Sequence, residues 1–324
     1  FNFKKQEKIF FLIFAAYLVS CGTTIAFVRS PDLYILLNFL IVASSPAAKT
    51  PVVIKVTNNK TLINENIFFI FLLFLPIFRK TLLLLIKTRS YIREVLIISK
   101  ITPDAEMTVE AYQSRLEGTL KALGRDYVDA YLVHWPGMYI DSMDNMQKLC
   151  DVMAGLKESG KTRTVGISKF LAKDIILMSD AAPLFTVNQI PYNLLERKYE
   201  GEHLKQCEKA SIGYMARSPS ARGLLAGRFD EEALKAPTRR DYHLYGQPYF
   251  NNSEILRDTV QEIAQEINTA PINVALAWVI QQKNITTAVV GARKVDQVKE
   301  FCAAGDITLT SDQLDRLNKE SNLF

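Results

Sequence analysis

Residues Asp126–Pro136 read DYVDAYLVHWP, and the fold follows from this stretch. Val128 to Val133 is a short apolar run of strand composition, with Leu123-Gly124 before it as a helix stop and His134-Trp135-Pro136 after it as a strand stop. A buried parallel strand that delivers a histidine at its C-terminal end is the place where α/β sheets put their chemistry.

Working outward, the pattern repeats. Val95 to Ser99 is a β-branched strand ending in Lys100. Thr108 opens a helix whose apolar positions Tyr112, Leu116, Leu120 and Leu123 recur at helical spacing, and Gly124 closes it. Ser142 opens another, with Met146, Leu149, Met153 and Leu156 on one face and Gly160 at its end. Strands are expected at Thr164–Ser168, Phe185–Gln189, Ile212–Ala216 and Ala288–Val290. Helices are expected at Ala172–Ser179, Glu200–Ala210, after a Ser253 cap, after Pro271, and over Asp296–Ala303. A loop rich in Arg, Tyr, Gly and Pro, Ala221–Asn252, interrupts the alternation. Repeated strand-then-helix units with strands apolar on both faces specify a parallel sheet wrapped by helices. No GxGxxG follows the first strand, so a closed (β/α)8 TIM barrel fits better than a doubly wound sheet.

Five strand ends carry polar residues: Lys100, His134, Ser168, Gln189 and Arg217-Ser218. In a barrel these ends converge on one rim and become a single site. From residue 95 onward charges of both signs are mixed, with no basic stripe interleaved with aromatics, so nucleic acid is not an expected partner. The four cysteines, Cys21, Cys150, Cys207 and Cys302, lie far apart without a CxxC. That argues against a metal site or a disulfide framework and suits a reducing, cytoplasmic compartment.

Residues 1–92 read differently. Apolar runs at Ile9–Val19, Leu33–Ala43, Ile67–Phe78 and Leu82–Ile86 are separated by Asn- and Lys-rich pieces. Each is shorter than the roughly 20 residues of a membrane-spanning helix. Three readings stand side by side: translated AT-rich non-coding sequence, which the opening on Phe1 and the Phe/Ile/Lys/Asn bias favour; a signal or membrane segment, with Leu18-Val19-Ser20-Cys21 as a lipoprotein-like cleavage pattern; and a divergent piece of the fold. A membrane is a partner only if the second holds.

From Arg93 to Leu323 the chain resembles the aldo-keto reductases, in particular their bacterial-type and potassium-channel-β-like branches. The residues that carry the resemblance are REVLIISK (Arg93–Lys100), DYVDAYLVHWP, LKESGKTRTVGISKF (Leu156–Phe170), VNQIPYNLLER (Val187–Arg197), ARSPSARGLLAGRF (Ala216–Phe229), VALAWVIQQ (Val274–Gln282) and VVGARKVDQVKE (Val289–Glu300). The resemblance implies a barrel domain over 93–324, incomplete at its N-terminus, that binds NADPH without a Rossmann domain and reduces a small aldehyde or ketone. By that resemblance Lys100 is the lysine that lowers a tyrosine's pKa and His134 the histidine that polarises the carbonyl. Ser168 and Gln189 match the nicotinamide carboxamide pair, Arg217 the group stacked on the nicotinamide ring, and Ser218 a pyrophosphate contact. Gly291, Arg293, Gln297 and Glu300 match the adenosine end, where the fork of Arg293 suits a 2′-phosphate and favours NADPH over NADH. Trp135 and the Ala221–Asn252 loop are expected to shape the substrate.

The departures are specific. Lys169 and Phe301 stand where the family has Asn, and Ser220 where it has Leu. The family's Asp-x-x-x-x-Tyr element should precede Lys100, but the only aspartate there is Asp32, followed by Leu at 37, and Tyr17, Tyr34 and Tyr91 sit in no matching context. The first two β/α units are not recognisable. The expectation is a poor reductase, or an inactive NADPH-binding protein or regulatory subunit.

Overall fold

The computed structural model describes residues 96–104, 106–137, 140–227, 234–235, 237–292 and 295–321, together with the backbone of 9–12 and 25–27. Six parallel strands form the body of the sheet: β3 (Leu96–Ile101), β4 (Val128–Val133), β5 (Thr162–Ser168), β6 (Phe185–Pro191), β7 (Gly213–Arg217) and β8 (Ile285–Gly291). They lie side by side in chain order. Two short strands flank them: β1 (Ile9–Leu12) pairs parallel with β8, and β2 (Ile25–Phe27) pairs antiparallel with β3. The result is a partial (β/α)8 barrel: the units before β3 that the sequence left unrecognised are represented by these two strands, one of them in the wrong direction for a barrel. Asp32, Leu37, Tyr17, Tyr34 and Tyr91 lie outside the described residues. Among the described residues no helix is long and apolar enough to cross a membrane.

All but the last of the helices form where the patterning places them; Ser311–Ser321 is not among those expected. α1 (Val109–Leu123) starts at Thr108, whose hydroxyl accepts from the Ala111 amide, and stops at Gly124 in the left-handed conformation. α2 (Met143–Glu158) starts likewise at Ser142, and Met146, Leu149, Met153 and Leu156 are buried along it. α3 (Ala172–Leu177), α4 (Glu202–Lys209), α5 (Glu254–Glu266), α6 (Pro271–Gln281), α7 (Val295–Cys302) and α8 (Ser311–Ser321) complete the coat. α6 is buried along nearly its whole length; its Trp278 stacks on Tyr192 at 5.5 Å and donates from Nε1 to Asn318 of α8 at 3.0 Å.

Two expectations need correction. Ser253 does not cap α5: it is buried, and its hydroxyl donates to the Phe250 carbonyl at 2.7 Å. A helical turn, Tyr249–Asn252, runs directly into α5, so the Ser253 position is helical in backbone and has no free N-terminus to cap. The Ala221–Asn252 segment is also not uniformly irregular. It holds 3-10 turns at Ala221–Ala226 and His243–Tyr245 and a helical turn at Pro237–Arg240.

The sheet has two apolar faces. The outer one packs under the helices. The inner one is a small cluster of Ile98, Ala130, Leu132, Val187, Met215 and Val289, with Leu96 against it. Gly166 lies opposite Leu132 in the ladder, and a Cβ there would sit 2.8 Å from Val187 Cγ1 and 2.9 Å from the Val187 carbonyl oxygen. Only glycine lets the interior close at this point.

Candidate active site

The inner cluster positions the site. Side chains on a strand alternate, so the residue two places further along shares a face. Two places beyond Ile98, Leu132, Gly166, Val187 and Met215 stand Lys100, His134, Ser168, Gln189 and Arg217. The five polar strand ends therefore form the layer directly above an apolar plug. His134 falls just past β4, but its amide still donates to the Ile101 carbonyl at 2.8 Å, which keeps it in register.

Three of the five touch. Lys100 Nζ donates to Gln189 Oε1 at 2.6 Å and to Ser168 Oγ at 3.3 Å, and Ser168 Oγ donates to the Gln189 carbonyl at 2.9 Å. All three residues are buried, with Lys100 only 4% exposed. The expected aspartate partner is not there: among the described residues no carboxylate pairs with Lys100, which is held by neutral oxygens alone. Burial, then the cations of Arg217 and Lys169, bring its pKa down from 10.5 to about 7.

His134 and Arg217 complete the layer. The His134 ring packs on Trp135 at 4.3 Å, and burial together with Lys100, Lys169 and Arg217 takes its pKa down to about 3, so it is a neutral imidazole at physiological pH. Arg217 is pulled below its ordinary value by burial, a shift that the Glu196 carboxylate opposes.

Lys169, the residue in place of the family's Asn, adopts φ 63° and sets its ammonium over the Trp135 ring at 5.1 Å. Burial and Arg217 lower its pKa. Sequence reasoning registered Lys169 only as a departure; here it is a third cation at the rim.

Around Arg217 lies a network that sequence reasoning missed. Buried Glu196 accepts from Tyr242 Oη and from Asn193 Nδ2, while the Arg222 guanidinium lies over the Tyr242 ring at 4.2 Å. These partners come from the β6 and β7 loops, and no spacing motif announces them. Ser218, at φ 56°, accepts from Asn193 Nδ2 at 3.0 Å through its carbonyl. The chain then turns tightly through left-handed Ala221, Arg222 and Gly223, the last at φ 99°, where glycine is required.

Gly291 ends β8 and is exposed, and Gln297 and Glu300 are half-buried on α7. Arg293 lies outside the described residues.

Two buried donors in the layer have no hydrogen-bond partner: Gln189 Nε2 and Arg217 Nε. Orphaned buried donors call for an acceptor from a ligand. An amide N–H and a guanidinium N–H in one layer suit a carboxamide oxygen and a phosphate or ring, so the residues present fit a nicotinamide dinucleotide.

A partial (β/α)8 barrel with its polar residues on the C-terminal rim defines a class of enzyme scaffold, and comparison with known proteins specifies it. The Aldo/keto reductase family profile matches residues 79–321, beginning upstream of the Arg93 boundary drawn from sequence. The chain belongs to the Aldo/keto reductase family. It is 30% identical over 206 residues to the Bacillus subtilis aldo-keto reductase YhdN, covering 63% of this chain and 61% of that protein. It is 26% identical to an NADH-specific methylglyoxal reductase of Escherichia coli, covering 63% and 62%. Its structure superposes on a Klebsiella pneumoniae aldo/keto reductase in complex with NADP and acetate with a TM-score of 0.57 at 25% identity, covering 75% of each chain. The chain spans about three-fifths of the length of the curated relatives it matches.

Proposed function

We propose that the chain binds NADPH across this rim and reduces a small aldehyde or ketone to the alcohol, slowly, since among the described residues no tyrosine acid stands beside Lys100. The observation that carries the reading is the convergence of Lys100, Ser168 and Gln189 in one buried hydrogen-bonded group with His134 and Arg217 in the same layer. Gln189, with its free Nε2, and Ser168 would hold the carboxamide, Arg217 and Ser218 the nicotinamide ring and pyrophosphate, and Gly291, Gln297 and Glu300, with Arg293, the adenosine end. When bound, the nicotinamide supplies a hydride to the carbonyl carbon.

Neutral His134 donates a ring N–H to the carbonyl oxygen and polarises it without protonating it. Two of the Lys100 ammonium protons are engaged by Gln189 and Ser168, and the third is left to neutralise the developing alkoxide. A group titrating near 7 is suited to that work at neutral pH. The lysine thus stands in for the family's tyrosine, at a cost in positioning.

The test is to titrate NADPH against intrinsic fluorescence and then follow its consumption with a panel of short aldehydes. Binding with turnover supports reduction. Lys100→Met should then lower kcat by about 10²-fold or more while leaving the NADPH Kd within about 2-fold, and retained turnover would sink the assignment. Binding without turnover on any carbonyl favours the second reading, a nucleotide-sensing or regulatory subunit, which the absence of an acid–carboxylate pair beside Lys100 among the described residues supports. No NADPH binding would refute both.

A further inference from the structure

The Lys100 amine has a geometry that carbonyl reduction does not require. Nitrogen in a lysine side chain has four positions: one is Cε, one points to Gln189 Oε1 and one to Ser168 Oγ. Both oxygens are used as acceptors, because the Ser168 hydroxyl proton is already donated to the Gln189 carbonyl. The fourth position is free of any hydrogen-bond partner among the described residues. Among the described residues no carboxylate stabilises the ammonium form there, while burial removes water and Arg217 and Lys169 oppose it. At that fourth position the amine therefore presents a lone pair. In the same layer His134 and Trp135 are half-buried and Lys169 is exposed.

We propose that Lys100 is an imine-forming nucleophile that captures small aldehydes covalently at the end of β3. The lone pair adds to the carbonyl carbon and the carbonyl π electrons move to oxygen. Both amine protons end on that oxygen, which leaves as water as the C=N bond forms. No oxidant or reductant is consumed. Neutral His134 steadies the carbonyl oxygen during addition. A desolvated lysine beside other cations is a known way to make this nucleophile. Lys169 and Arg217 add a preference for aldehydes that carry a carboxylate.

The experiment is reductive trapping of the full chain with glyoxylate and cyanoborohydride, read by peptide mass spectrometry. It uses neither NADPH nor hydride transfer to a substrate carbon, so its failure would leave the reductase reading standing, and the converse holds as well. At pH 7 Lys100 should be carboxymethylated about 10²-fold faster than Lys283 or Lys319, which are 85% and 82% exposed. Burial and the neighbouring cations bring the Lys100 pKa down to about 7, which raises its fraction of free amine at neutral pH, and lower basicity gives back part of that gain. The Lys100 rate should level off above pH 7. This pH profile needs no variant, so it stands even if Lys100→Met fails to fold. An unmodified Lys100 peptide beside labelled Lys283 and Lys319 would overturn the proposal, as would a Lys100 rate still climbing at pH 9.

Discussion

Lys100 makes the stability of this protein depend on pH in a direction opposite to that of a paired lysine, and the size of the effect can be worked out. In the unfolded chain the amine titrates at its ordinary 10.5, and in the fold at about 7. Between those values the unfolded state binds more protons than the folded one, so stability rises with pH. Below pH 7 both states are protonated, and the whole penalty for burying an unpaired ammonium is present. Above pH 7 it is relieved by up to about 1.4 kcal/mol per pH unit, which integrates to about 2 kcal/mol between pH 7 and pH 9. Lys100 is 4% exposed, so solvent screening takes little from this figure. The perturbation is Lys100→Met, which keeps the volume of the side chain and removes the titration. Urea midpoints of both proteins at pH 6, 7, 8 and 9 give the assay, and the difference between them cancels every other titrating group. Lys100→Met should be the more stable protein at pH 6, and its advantage should shrink by about 2 kcal/mol by pH 9. Parallel curves would refute the claim that Lys100 lacks an ionic partner and would point to a carboxylate beside it.

Two further predictions follow from the same layer and the plug below it. Gly166→Ala puts a methyl against the Val187 carbonyl oxygen at 2.9 Å, a backbone atom in the β6 ladder that cannot step aside; the variant should lose about 1–3 kcal/mol, and an unchanged melting temperature would show that the interior is looser than described. The ring protons of His134 should hold their chemical shifts from pH 8 to pH 5, because burial and then the surrounding cations depress its pKa; a midpoint near the ordinary imidazole value would remove His134 from the cationic layer.

What the sequence revealed and what it hid divide along one physical line. Elements written locally were legible. Thr108 and Gly124 bracket α1 because capping and left-handed termination are properties of single positions, and Val128–Val133 was bounded on both sides by stop signals. The five strand ends were legible too, since alternation and chain order put them on one rim. The partners of Lys100 were not. Ser168 and Gln189 are 68 and 89 residues away in sequence, and the family pattern pointed to an aspartate that is not found beside Lys100 among the described residues. The Glu196–Tyr242 bond spans 46 residues between two loops whose conformations depend on packing against each other. Ser253 misled for the opposite reason: a residue type that caps helices was read locally, while the turn before it had already supplied the helix start.

That no carboxylate pairs with Lys100 among the described residues sets the chemistry open to this layer. In a site where a lysine faces an aspartate, the ion pair spends the lysine's charge on holding a neighbour's proton. Here Gln189 and Ser168 can only accept from the amine, and Lys169 adds a cation where the family has a neutral amide. Burial, then Arg217 and Lys169, bring the lysine's pKa down to about 7. The free position on Nζ then carries a proton on one side of neutrality and a lone pair on the other. Whether this rim acts as an acid towards a reduced carbonyl or as a nucleophile towards an unreduced one is set by that single occupancy, so the pH profiles of NADPH turnover and of imine trapping should run in opposite directions through about pH 7.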